Sequence, residues 1–260
     1  MVSTDQKTDV KEKEADCPVV VAVTSHAVFE SGGAEDPDGL YVGGIAFPLL
    51  QALQKVNERL LKENPAESLL FDVILITTES QQQQQSSRIT ESIRHHGLKV
   101  SRFCFSNEED FMENLLNNNV HLFLTTNRNE ALQGSQKGVL SVLLDEHTAS
   151  CPTEQLRVLF CGDAVVQSEA GPALASKQAA QSFSAQIGKM RGRFGLFDSP
   201  ISIALVTSRG GRESCGDALR TLRSLGVNAD EAYCLAGVPR GPIKRLLRPH
   251  FLLSECFSSN

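Results

Sequence analysis

No stretch of the 260-residue chain approaches the roughly 18 to 20 consecutive apolar residues that a membrane helix needs. Residues 1 to 16 carry eight charged side chains where a secretion signal would have an apolar core. A spanning or exported protein is therefore not expected, and the reading is soluble and cytoplasmic. Runs of Lys and Arg are absent too. The chain has 25 Lys plus Arg against 31 Asp plus Glu, a net charge of −6, which leaves no electrostatic footprint for nucleic acid or an anionic membrane. No two of the seven cysteines form a CxxC pair, so reduced thiols are expected rather than disulfides or a zinc site. Phe103-Cys104-Phe105 and Tyr233-Cys234-Leu235 read as cysteines used as small buried hydrophobes.

What is present is a large apolar fraction, 41% of residues, enough to fill the core of one large or two small domains. Beyond a tail over 1–16, short β-branched runs alternate with longer amphipathic stretches, the pattern of an α/β fold with mostly parallel sheets covered by helices on both faces. Strands are expected at Val19 to Val23, Phe71 to Thr77, Val120 to Leu124, Leu156 to Phe160, Ile201 to Thr207 and Ala232 to Leu235. The spacing of Leu49, Leu50, Leu53, Val56, Leu60 and Leu61 predicts a helix from about Pro48 to Glu63. Pro48 suits its first turn and Asn64-Pro65 its end. Gln81 to Gln85 reads as a polar loop or a helix start. Glu169 to Arg193 reads as a helix with a flexible connection.

Two strand ends nearly superpose. Val21-Ala22-Val23-Thr24-Ser25-His26-Ala27-Val28 and Val158-Leu159-Phe160-Cys161-Gly162-Asp163-Ala164-Val165 each close an apolar strand with three small or polar residues and resume with Ala-Val. Phe71 to Thr78 echoes Ile201 to Ser208, and, more weakly, His121 to Leu124 echoes Ala232 to Leu235. These echoes predict two similar Rossmann-like units, 17–150 and 151–260. His26 holds in the first the place of Asp163 in the second, and with no partner visible in sequence it reads as structural or merely exposed.

Ligands of a doubly wound sheet bind beyond the carboxyl ends of its strands. In the second unit those ends carry Cys161-Gly162-Asp163, Thr207-Ser208-Arg209 and Gly237-Val238-Pro239-Arg240-Gly241-Pro242. Hydroxyls, a guanidinium and a carboxylate on one edge suit a phosphate. Taken with Ala46-Phe47-Pro48, Val56-Asn57-Glu58-Arg59-Leu60, Ala218 to Gly226 and Arg248-Pro249-His250, these strings resemble the haloacid dehalogenase superfamily, and more closely the cytosolic 5'-nucleotidase I family. The resemblance spans about residues 17 to 255. It implies hydrolysis of nucleoside 5'-monophosphates such as AMP or IMP with Mg2+, through an Asp-Gly-Asp motif whose first Asp attacks phosphorus and whose second is general acid and base.

The chain departs from that pattern. Cys161 stands at the nucleophile position, beside Gly162, while Asp163 keeps the acid/base position. Thr207 matches the phosphate-binding hydroxyl, with Ser208 beside it. Arg240 replaces the expected Lys. The acidic pair that would complete the Mg2+ site is reduced to Ser254 and Glu255, leaving Asp163 and Glu255 as weak metal ligands. The segment after Ser168, which in the family closes over the nucleotide, is short. A thiolate mechanism at Cys161 is not expected, because cysteine phosphatases ring the sulfur with backbone N–H groups and an Arg, and here a carboxylate adjoins it. The leading expectation is a phosphate- or nucleotide-binding pseudoenzyme. An active Mg2+-dependent nucleotidase and a protein-interaction module that binds no nucleotide are the alternatives. Self-association stays open.

Overall fold

A computed structural model describes residues 17–30, 39–77, 83–106, 110–146, 148–162, 173–195, 198–208 and 212–253, with the side chains of 83–85, 173–176 and 212–214 outside the description. The chain begins with β1 (Val19–Thr24), a short α1 (Ser25–Val28) and α2 (Phe47–Glu63). It continues through β2 (Phe71–Thr77), α3 (Gln83–His95), β3 (Arg102–Phe105), α4 (Phe111–Asn117), β4 (Leu122–Thr125), α5 (Arg128–Gln136) and β5 (Ser141–Leu143). After a turn of 3-10 helix at Thr148–Ser150 come β6 (Leu156–Cys161), α6 (Ala173–Arg191), β7 (Ile201–Thr207), α7 (Arg212–Ser224), β8 (Glu231–Cys234), α8 (Gly241–Leu247) and β9 (Phe251–Leu253).

The strands form two parallel sheets, ordered β3-β2-β1-β4-β5 and β8-β7-β6-β9. Parallel strands covered on both faces must be apolar on both, and β1 and β6 are buried at nearly every position. The odd residues of β1 (Val19, Val21, Val23) and the even residues of β6 (Leu156, Val158, Phe160) enter one apolar cluster shared by both sheets, with Leu49, Leu53 and Val56 of α2 and Phe183 and Ile187 of α6. The outer face of the first sheet is covered by Phe111 and Leu115 of α4, that of the second by Ile243 and Leu247 of α8. Among the described residues no helix is long and apolar enough to cross a membrane.

The α/β expectation holds, and so do the main strands. The differences are local. Leu61 is 40% exposed rather than part of the stripe, because residues 61–66 are all exposed and the last turn of α2 projects past the core. Cys104 is half-buried and Cys234 exposed, since each sits on an edge strand. The weakest echo is corrected by topology. The counterpart of β4 is β9, each pairing the far side of its central strand, and the counterpart of β8 is β3. Strands β3, β5 and β9 were not anticipated.

The other two echoes extend to single hydrogen bonds. Val19 N–H donates to Leu70 O at 2.7 Å and Leu156 N–H to Pro200 O at 2.8 Å. His121 Nδ1 accepts from Val20 N–H at 3.1 Å, and His250 Nδ1 accepts from Arg157 N–H at 3.0 Å, each just before its strand. Gly97 and Gly226, at φ 65° and 77°, end the equivalent helices with the left-handed turn that glycine adopts without strain.

Candidate functional site

Both sheets reverse winding direction beside their central strand, β1 against β4 and β6 against β9, and these switch points are where such folds open a crevice. In the second sheet, β6 ends in buried Cys161 and Gly162. A Cβ on Gly162 would lie 2.4 Å from Thr207 Cγ2 and 3.0 Å from Ala218 Cβ, so only glycine lets the turn after β6 approach β7 and α7 this closely. Thr207 is buried, and its hydroxyl meets Cys234 Sγ at 3.3 Å. Ser208 accepts from Arg240 through Nε at 3.1 Å and also through Nη2. Gly237 N–H donates to Ser208 O at 2.9 Å, which folds the Arg240 loop over the end of β7.

The structure therefore brings Cys161, Gly162, Thr207, Ser208 and Arg240 to one edge, with the guanidinium held by the Ser208 hydroxyl. Asp163, Ser254 and Glu255 lie outside the described residues, as do Arg209 and 169–172, while the rest of the segment expected to be a helix forms α6. Among the described residues no group of three or more His, Cys, Asp or Glu side chains could hold a metal. The Cys161 thiol at the end of β6 is buried and is a soft donor where Mg2+ takes hard oxygens, so it does not fit that ion.

The first sheet carries a site that sequence reasoning missed. Beyond β1 and β4 lies a cavity of about 940 Å³, lined among others by His26, Phe29, Phe47, Asn127 and Glu130. Thr24 Oγ1 donates to Thr125 Oγ1 at 3.4 Å, and Thr125 Oγ1 donates to Glu130 Oε2 at 2.5 Å. His26 Nε2 lies 3.2 Å from Thr24 Oγ1, 3.4 Å from Thr125 Oγ1 and 3.7 Å from Glu130 Oε2. Asn127 caps α5 by accepting from Asn129 N–H at 2.9 Å, which fixes Glu130 in the helix's first turn. The partner of His26 is thus Glu130, invisible in sequence because it depends on β1 pairing with β4. One signal was available: Thr125, Asn127 and Glu130 follow a strand end, as Thr207 and Ser208 do.

Burial sets the state of two other histidines. His250 is held down to about 4 by burial, and His121 is lowered for the same reason. Burial pushes the Cys151 thiol up to about 11, so it is not a nucleophile.

Comparison with known proteins gives three findings. The model of a family described as 5'-nucleotidase matches residues 34–192 and 179–255. The human protein named cytosolic 5'-nucleotidase 1B is 29% identical over 274 aligned positions, covering 92% of this chain and 44% of its own length. The chain thus spans less than half of that curated relative. A solved structure of a mutant Thermobaculum terrenum O-GlcNAc transferase aligns with 91% of this chain and 48% of its own, at 9% identity and a TM-score of 0.25, a likeness too slight to argue from.

Proposed function

The chain belongs to the 5'-nucleotidase family, and from that premise we propose that it is a cytosolic pseudoenzyme, one that binds a nucleoside 5'-monophosphate through its phosphate without efficient turnover. The observation that carries this is Cys161, a thiol 2% exposed at the end of β6 where the family's resemblance calls for the attacking carboxylate. Acyl-phosphate chemistry needs a carboxylate oxygen as nucleophile, and a thiol buried against the neighbouring strands cannot supply one. Hydroxyl and cationic groups for phosphate oxygens persist: Ser208 and Arg240 are paired at the strand edge, with Thr207 beneath them. Gly162 supports the reading, because it keeps the close turn that a phosphate cradle requires. In this reading Asp163 would keep the acid/base position, and Asp163 with Glu255 would give a hard cation only a weak hold.

The test is phosphate release from AMP, IMP and dAMP by the purified full chain with millimolar Mg2+, beside Asp163→Asn. Release no greater than in the variant is the expected result. Turnover on the order of 1 to 10³ per second that disappears in Asp163→Asn would overturn the reading in favour of an active nucleotidase. A parallel melt with AMP should raise Tm, and Arg240→Ala should remove the rise.

A further inference from the structure

We propose that the cavity at the switch point of the first sheet is a second, independent ligand site, and that it takes a planar nitrogen heterocycle rich in N–H donors, the chemistry of a nucleoside rather than of a phosphate. The inference goes beyond the phosphate site of the second sheet and shares no residue with it.

The hydrogen-bond directions set what the site can recognise. Thr125 commits its hydroxyl proton to Glu130 and Thr24 commits its own to Thr125. Thr24 Oγ1 is left to accept, which in the neutral ring puts the hydrogen of that contact on His26 Nε2 and leaves Nδ1 as the ring's acceptor. Both threonines are fully buried, at 1% and 0% exposure, so the relay is a fixed internal frame rather than a surface arrangement. It holds His26 and Glu130 at the cavity wall with acceptors to offer. Glu130 is 14% exposed and His26 25%, enough to meet a ligand and sheltered enough for the contact to count.

The rest of the wall agrees. Glu30 adds a second carboxylate, and no Lys or Arg stands among the described lining residues. A phosphate would meet two negative groups and no counter-charge, which argues against an anion. Phe29 and Phe47 give the cavity aromatic surface suited to a flat ring. Phe47 is held edge-on to His96 with ring centroids 5.2 Å apart, and Phe29 tilts on Tyr41 at 5.7 Å. Gly44 lets the returning segment lie against α1: a Cβ there would be 3.0 Å from Ala27 O, while Gly44 N–H donates to Val28 O at 2.6 Å. At about 940 Å³ the cavity is at the upper end of small-molecule sites and accommodates a nucleoside.

The experiment is calorimetric titration of the full chain with adenosine, guanosine and inorganic phosphate, repeated on Glu130→Gln, His26→Gln and Arg240→Ala. At least one nucleoside is expected to bind with submillimolar Kd, and excess inorganic phosphate should not displace it. Glu130→Gln keeps an acceptor for Thr125 and so the fold, while removing the charge that strengthens a hydrogen bond from a ring N–H; about tenfold weaker binding is expected. His26→Gln should weaken binding as well, with far-UV circular dichroism unchanged in both variants. Arg240→Ala, which removes the guanidinium of the second sheet's proposed phosphate site, should leave nucleoside affinity within twofold. Absence of nucleoside heat up to millimolar concentration overturns the proposal. So does binding that phosphate displaces, or that Arg240→Ala abolishes and Glu130→Gln leaves intact, either of which would assign it to the second sheet. Loss of AMP stabilisation alone would count against the phosphate site and not against this one.

Discussion

The two sheets share a wiring plan down to a histidine that accepts from the central strand, yet they use it differently. In the first, His121 is half-buried; in the second, His250 is 1% exposed and held down to about 4. Where the loop before β3 has exposed Ser101, the loop before β8 has Asp230, which accepts from Arg191 Nη2 at 2.6 Å and from Ile203 N–H at 2.8 Å. At the switch points, the first sheet has Thr24, His26 and Thr125 joined to Glu130, while the second has Cys161 and Gly162. Among the described residues, a repeated backbone therefore carries a connected polar cluster on one copy and a thiol on the other. Chemistry belongs to the strand ends, and the shared plan constrains only the interior.

If the repeat governs packing, matched core positions should differ only by side-chain volume. Val23 and Phe160 occupy corresponding places, paired to Leu75 and Leu205 respectively. Phe160→Ala should lower unfolding free energy by about 3–5 kcal/mol and Val23→Ala by about 2 kcal/mol, in urea titrations followed by circular dichroism. Because both side chains enter one cluster, each should shift a single transition. A second transition in either variant would break the comparison at its root.

The Asp230 clamp sharpens it. Asp230→Ala removes the carboxylate that pairs the buried Arg191 guanidinium and the acceptor of Ile203 N–H, with an expected loss of about 3 kcal/mol, whereas Ser101→Ala should leave the urea midpoint unchanged. The two histidines differ in pH dependence. His250 resists protonation when folded and accepts a proton normally when unfolded. Its contribution is complete above pH 6.5 and is lost as pH falls toward about 4, about 3 kcal/mol in all at 1.36 kcal/mol per pH unit. His250→Asn, which keeps an acceptor for Arg157 N–H, should flatten that slope between pH 7 and 4.5. The same change at His121 should alter it less. An equal slope change from both would show that burial is not what separates them.

Sequence reading located most of the fold because β1, β2, β6 and β7 are six or seven residues long, apolar and buried on both faces, so their runs stand out. It missed β5 and β9, three residues each, whose strand character comes from their neighbours rather than from composition. The second-sheet candidates were legible because Cys161, Thr207 and Ser208 directly follow such runs. The His26 cluster was not, since Thr24 and Thr125 are 101 residues apart and meet only once β1 pairs with β4. The third echo misled for a related reason. Strands β3 and β8 on one side and β4 and β9 beside the central strands have similar short apolar strings, and only strand order tells which corresponds to which.

The smallest expected effect concerns what joins the halves. Arg59 on α2 reaches Asp198 at 2.6 Å and Lys55 reaches Glu154 at 3.2 Å, two ion pairs that cross from one half to the other. The hydrogen bond from Arg59 lowers the Asp198 carboxyl and raises Arg59 in turn, so any contribution is present at neutral pH and fades as Asp198 is protonated. Asp198 is 84% exposed, and water and salt screen such a pair. Arg59→Met should therefore leave the urea midpoint and the single transition unchanged at 0.15 M salt, within error. Leu53→Ala, on the buried side of the same helix, should cost about 2–5 kcal/mol. That contrast assigns the union of the two halves to the shared apolar cluster. If Arg59→Met instead splits the transition while Leu53→Ala does not, the halves are joined at the surface, and the likeness of their interiors has nothing to do with their cohesion.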